Sequence, residues 1–189
     1  MAIINCIELA VIVGSVRPQR LGPSVAQWFV DVAGQRAEFS VSLLDLLELE
    51  LQSDLSPSAG AERLAETISS AAAVVVVTPE YNHGYPASVK TALDTLKYEW
   101  RGKPIGFVSY GGMSGGVRAV EQLRSVATEL HMVTVRDSVG FARARKVFGG
   151  NRIPETGPEL DSANRMLDQL WWWASAAAAR GAVDPYPHS

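Results

Sequence analysis

The sequence predicts an α/β protein: a five-stranded parallel sheet held between two layers of helices. Three observations lead there. Short apolar, β-branched runs bounded by turn residues recur along the chain and alternate with segments whose apolar residues repeat at helical spacing. Such alternation implies right-handed crossovers and parallel strands. The run Val74–Val77 is apolar without a break, as a strand buried on both faces requires. Finally, 189 residues make one domain of ordinary size, whose core needs neither metal nor disulfide.

Taken in order, Ile7–Val13 is the first strand. Val25, Trp28, Phe29 and Val32 then repeat at helical period behind Pro23, placed as a first-turn proline. Phe39–Leu44 is the second strand, and Leu64 with Ile68 marks the next helix; the polar stretch 52–60 between them is too short to be a linker between domains. Ala73–Val77 forms the third strand, followed by a helix carrying Val89, Leu93 and Leu96. Pro104–Ser109 is the fourth, followed by a helix carrying Val117, Val120, Leu123 and Ala127; Met132–Val135 is the fifth. A last helix with Leu160, Leu167, Leu170, Trp171 and Ala174 runs from about Pro158 towards Arg180 and covers one face. Residues 1–183 thus form a single domain, with 184–189 as a frayed tail. The basic stretch Arg143–Arg152, with Gly149 and Gly150, reads as a mobile surface loop in preference to a grip on a ligand phosphate.

Composition removes several function classes. With 17 Lys+Arg against 20 Asp+Glu, the net charge of -3 offers no general attraction to nucleic acid or to an anionic bilayer. The longest strictly apolar run, Ala71–Val77, is far below the ~20 residues that span a membrane. The N-terminal apolar stretch contains Asn5 and Glu8 and lacks the basic start of a signal peptide. One cysteine, Cys6, cannot form an intramolecular bridge, which suits a reducing, cytoplasmic setting.

Chemistry is expected in the loops after strands, because ligands of open parallel sheets collect outside the carboxyl ends where strand order reverses. The first such loop reads Gly14-Ser15-Val16-Arg17-Pro18-Gln19-Arg20-Leu21-Gly22-Pro23. Unpaired N–H groups at a helix start, a serine hydroxyl at Ser15 and a guanidinium at Arg17 suit a phosphate, with Arg20 as a second cation. An ordinary strand-to-helix turn with two exposed arginines accounts for the same residues; the Ser/Arg spacing favours the phosphate. Neither Gly-x-Gly-x-x-Gly nor Gly-Lys-Ser/Thr occurs there, so a phosphate monoester fits better than a pyrophosphate. The second loop, Thr78-Pro79-Glu80-Tyr81-Asn82-His83-Gly84-Tyr85-Pro86, offers a ring face, an amide and close backbone approach to a flat ligand. Read singly, Glu80 is better taken as a solvated carboxylate, Tyr81 as a packing aromatic and Asn82 as a turn former. The third, Ser109-Tyr110-Gly111-Gly112-Met113-Ser114-Gly115-Gly116, exposes backbone donors to the polar edge of a heterocycle, or is simply a flexible lid. In the flavodoxin-like strand order 2-1-3-4-5, strands one, three and four are neighbours and the three loops converge.

These residues resemble the NADPH-dependent FMN reductase family of flavodoxin-like proteins, which includes quinone, azo-dye and chromate reductases. Gly14-Ser15-Val16-Arg17 is similar to the family's phosphate loop, Pro79-Glu80-Tyr81-Asn82 to its flavin-contacting segment, and Gly111-Gly112 with Gly115-Gly116 to its loop at the isoalloxazine edge. The resemblance implies that Ser15, Arg17 and Arg20 hold the FMN phosphate. It further implies that Pro79, Glu80, Tyr81 and Asn82 line the ribityl chain and ring, and that Ser109, Tyr110, Gly111 and Gly112 border the other side. NADPH or NADH would serve as co-substrate and a quinone, azo compound, metal oxyanion or free flavin as acceptor, in a homodimer or homotetramer. One departure matters: many relatives carry Ser or Asn further along the phosphate loop, where this chain has Arg20, Leu21 and Gly22.

With a flavin carrying the electrons, no nucleophile, metal cluster or acid–base pair need appear, and none is predicted. Amides of Gly111 and Gly112 would face the charge that develops on a reduced ring. His83 reads as a surface or packing residue, and His131 and His188 have no metal-binding spacing with Cys6. A flavodoxin-like electron carrier without NAD(P)H turnover and a non-redox phosphate-binding protein are the rival readings.

Overall fold

The computed structural model describes residues 6–149 and 154–187. Its strands are β1 (Ile7–Val13), β2 (Phe39–Asp45), β3 (Ala73–Pro79), β4 (Pro104–Tyr110), β5 (Val133–Thr134) and β6 (Val139–Phe141). The sheet order is β2-β1-β3-β4-β5, every pair is parallel, and β6 also pairs with β4. The helices are α1 (Gly22–Gly34), α2 (Leu46–Leu49), α3 (Ala59–Ser70), α4 (Ala87–Thr95), α5 (Val117–Glu129), α6 (Ala144–Phe148) and α7 (Pro158–Gly181).

Alternation of side chains along each strand divides the core into two halves. Leu9, Val11, Val13, Val75 and Val77 pack with Val25 and Phe29 of α1 and with Leu167 and Leu170 of α7. Ala10, Ile12, Val74 and Val76 pack on the opposite face with Leu64 and Ile68 of α3, Leu93 of α4 and Leu123 of α5. Every residue of β3 and of β4 is buried. At about 1.5–3 kcal/mol for each fully buried valine, the unbroken run in β3 strongly favours the centre of the sheet over an edge.

The fifth strand departs from expectation. Only Val133–Thr134 of the predicted 132–135 run pairs, with Pro104 and Ile105, and the chain rejoins β4 three residues further along its register as β6. Between the two pieces, Arg124 of α5 donates to the carbonyls of Val135 (2.7 Å) and Arg136 (2.9 Å), groups that a continuous strand would offer to the sheet. Asp137 is held by Gln169 and Arg165 of α7. Leu96 ends α4 as its cap instead of lying within it.

Beyond α7, Tyr186 packs over Gly102, and its hydroxyl lies 3.1 Å from Nδ1 of His131. Positions 188–189 of the predicted tail and 150–152 of the basic stretch lie outside the described residues. Among the described residues no helix is long and apolar enough to cross a membrane.

The order β2-β1-β3-β4 decides where a ligand can sit. From β1 the chain crosses to β2 on one side, while from β3 it crosses to β4 on the other, so the loops after β1 and β3 diverge and leave a crevice at the carboxyl edge.

Candidate functional site

The loop after β1 is tied to the sheet at its start, where the Gly14 amide donates to the Val77 carbonyl at 2.8 Å. From there to α1, the amides of Ser15, Val16, Arg17, Gln19 and Arg20 donate to no acceptor among the described residues. The helix begins with proline in its first turn and with Leu21 at its N-cap, which offers no side-chain acceptor. A row of unpaired N–H groups leading into an uncapped helix N-terminus is the donor set that an anion satisfies.

Ser15 is fully buried, and its Oγ accepts a hydrogen bond from the Tyr110 hydroxyl at 3.0 Å. Burial pushes the Tyr110 phenol up to about 12, so it stays protonated and donates. The Ser15 hydroxyl, accepting from tyrosine, keeps its own hydrogen for a second acceptor. Arg17 is exposed, with its guanidinium carbon 5.2 Å from the centroid of the Tyr81 ring. Arg20 is engaged elsewhere: it donates to both carboxylate oxygens of Asp45, at 2.6 and 2.7 Å, and to the Ser15 carbonyl at 2.6 Å.

In the second loop, Pro79, Glu80 and Tyr81 reach the crevice, but the Glu80 carboxylate serves the neighbouring loop. It accepts from Ser114 Oγ (3.0 Å), from the Arg118 guanidinium (2.8 Å) and from the Arg118 amide (3.1 Å), capping the first turn of α5. Burial alone would raise its pKa, yet the bonds from Arg118 and Ser114 hold the carboxyl below its ordinary value of 4.5. A carboxylate depressed in the folded state contributes stability above pH 4.5 that is lost as pH falls through the folded value. Removing that charge in Glu80→Gln is expected to cost about 1 kcal/mol at pH 7, discounted for the half-exposed Arg118. Melting temperatures should then differ by roughly 2–4 °C at pH 7 and converge below about pH 4.5; parallel curves at every pH would show that the charge contributes nothing.

Asn82 and His83 both have positive φ, +51° and +70°, between Tyr81 and Gly84, which exchange backbone hydrogen bonds at 2.8 and 3.0 Å. Asn82 thus forms the tip of a tight turn and does not line the crevice. Ser109 does not line it either: its buried hydroxyl donates to the carbonyl of Gly115 at 2.8 Å. Gly116 beside it has φ +93°, and an added Cβ would come within 2.7 Å of Ser109 Cβ, so the sharp exit into α5 requires glycine. Tyr110, Gly111 and Gly112 do border the crevice. The expectation of two free glycine donors needs correction, because the Gly111 amide donates to the Phe141 carbonyl at 3.1 Å as an extension of the pairing with β6. Only the Gly112 amide has no acceptor among the described residues.

These loops enclose a cleft of about 480 Å³, and its remaining wall is α6 with the residue before it: Arg143, Ala144, Arg145 and Lys146. The stretch read as a surface loop is therefore mostly helix where it is described. Backbone bonds from the amides of Arg143 and Ala144 to the carbonyls of Gly112 and Gly111 dock it on the glycine loop. The sequence does carry a signal for this: Ala144, Val147 and Phe148 fall at i, i+3 and i+4 and pack on the core, leaving Arg143, Arg145 and Lys146 outside. One helical turn is too short to stand out from a basic loop by periodicity alone.

A phosphorylated ligand fits this donor set, and its flat portion has the rim of Tyr81, Tyr110 and the glycines. Comparison with known proteins gives the same direction. The profile of the NADPH-dependent FMN reductase family matches residues 7–146. An NAD(P)H-dependent FMN reductase of Schizosaccharomyces pombe is 38% identical over 136 residues, covering 66% of this chain and 68% of that protein. The NAD(P)H-dependent FMN reductase LOT6 of Saccharomyces cerevisiae is 31% identical over 184 residues, 86% of this chain and 94% of its own length. A quinone reductase of Escherichia coli K12 is 29% identical, covering 87% and 89%. Among solved structures, the NADH:FMN oxidoreductase EMOB overlays with a TM-score of 0.70 at 18% identity, over 94% of this chain and 99% of that one. With the loop after β1, the aromatic turn and the glycine loop at one crevice, and with relatives matching most of its length, the chain belongs to the NADPH-dependent FMN reductase family.

Proposed function

We propose that the protein is an FMN-dependent NAD(P)H oxidoreductase that delivers electrons to a small-molecule acceptor, a quinone foremost among azo compounds, metal oxyanions and free flavin. The observation that carries this reading is the uncapped start of α1 preceded by unpaired amides, with Ser15 in the same loop and Arg17 lining the cleft. Bound there, FMN supplies hydride acceptance from the nicotinamide and release of two electrons to the oxidant. The chain's own role is to bind and orient. The N-terminus of α1, Ser15 and Arg17 hold the phosphate, Tyr81 and Tyr110 shape the flat end of the cleft, and the Gly112 amide offers one neutral donor to charge on the ring.

Arg143, Arg145 and Lys146 give the cleft more cations than one phosphate monoester needs. They suit the phosphates of the dinucleotide, the 2′-phosphate included, so NADPH is the preferred donor in this reading. A homo-oligomer belongs to it as well: Met113 is 86% exposed and Val117 52%, an apolar rim beside the glycine loop for a partner to cover. A cytoplasmic setting rests on the single cysteine, Cys6.

Purified protein is expected to be yellow, to bleach anaerobically with NADPH and to recolour on adding a quinone. Yellow protein inert to both nucleotides is a carrier instead, and colourless protein that takes up no FMN is a different phosphate binder.

A further inference from the structure

We propose that Asp45 is a positioning residue for phosphate binding, and that Arg20 acts through it as a strut that shapes the loop after β1 instead of as a second phosphate ligand. This rests on the FMN reading above. Asp45 ends β2 in register with Val13, so its carboxylate stands beside the point where the phosphate loop leaves the sheet. Arg20 reaches back across that loop, donating through Nη1 to the Ser15 carbonyl and through both terminal nitrogens to the Asp45 carboxylate. Both side chains are largely shielded, 13% and 15% exposed. The segment Ser15–Arg20 is thereby closed into a ring by a side chain and bolted to β2.

The orientation of one peptide follows from this closure. A Ser15 carbonyl facing a bound phosphate would repel it; drawn to the guanidinium, it lies in the planar unit with the Val16 N–H aimed the opposite way. The fork geometry is needed, because three donors must meet two acceptor groups at fixed angles, which a lysine ammonium does not reproduce. The pairing also neutralises much of the charge that a direct phosphate ligand would offer. Asp45 has a second task, accepting from the Leu47 amide at 3.0 Å as the N-cap of α2; asparagine retains an oxygen for that bond.

The test is titration of apo-protein with FMN and, separately, with riboflavin, for wild type, Asp45→Asn, Arg20→Ala and the double variant, with thermal melts of each apo form. The strut predicts that each single variant weakens FMN binding about tenfold or more. It also predicts that the double variant is no weaker than the worse single one, and that riboflavin affinity barely moves. Asp45→Asn binding FMN as tightly as wild type while Arg20→Ala does not would make Arg20 a direct ligand and overturn the proposal. Additive losses, or equal losses for FMN and riboflavin, overturn it too. Wild type that takes up no FMN removes the cofactor reading and the strut with it; wild type that binds FMN, with any of the adverse variant results, removes the strut alone.

Discussion

Gly22→Ala is expected to lose FMN affinity by roughly tenfold to a hundredfold and to melt at a lower temperature, although alanine is the better helix former. The added Cβ would lie 2.3 Å from Ser15 Oγ, 3.0 Å from the Tyr110 hydroxyl and 3.0 Å from Val13 Cγ1. By propensity alone, the exchange at a helical position favours alanine by up to about 1 kcal/mol. Overpacking against buried neighbours costs about 1–3 kcal/mol, and Ser15 is itself buried. The hydroxyl must leave its bond with Tyr110, and the phosphate loses a donor worth about 1.5–3 kcal/mol to a charged group. Calorimetric melting of the apo-protein together with fluorescence titration of FMN reads both effects. A variant as stable as wild type and equally tight for FMN would show that Ser15 and the start of α1 do not form the phosphate cradle.

Arg17→Ala separates binding from folding. Its guanidinium is exposed and lies over the face of Tyr81, so apo stability should change by less than about 0.5 kcal/mol. Affinity for FMN should fall by about 1.5–3 kcal/mol, the worth of one hydrogen bond to a charged group. Riboflavin, which lacks the phosphate, should bind wild type and variant alike, and raising the salt concentration should weaken FMN binding less in the variant than in wild type. An unchanged FMN isotherm removes Arg17 from the site.

Much of this architecture is legible from local pattern. An all-apolar run at Val74–Val77 reads as a central strand, and the amphipathic repeats at Val25–Val32 and Val120–Ala127 cover it, because periodicity reports which side chains leave water; Val117, expected on the same face, is instead exposed. The loops that carry Ser15, Tyr81 and Gly111 are marked by residue types that a simple connector does not need. The fifth strand is the weak point: two short apolar pieces separated by Arg136, Asp137 and Ser138 give too few residues for the period to show.

Roles within the site are another matter. Sequence presents Ser15, Arg17, Arg20 and Glu80 as one class of polar loop residue, all available to a ligand. In the folded chain Glu80 is taken by Arg118, 38 positions away, Arg20 by Asp45, 25 away, and Ser15 is paired with Tyr110, 95 away. The chain by itself therefore determined which segments are strands and helices and which loops are chemically unusual, since hydrophobic burial is encoded by neighbours in sequence; the strand order came with the flavodoxin-like resemblance and is fixed by the structure. Only the tertiary structure decided which polar groups remain free for a ligand, because a hydrogen bond between loops depends on atoms meeting within about 3 Å, and no local period records that distance.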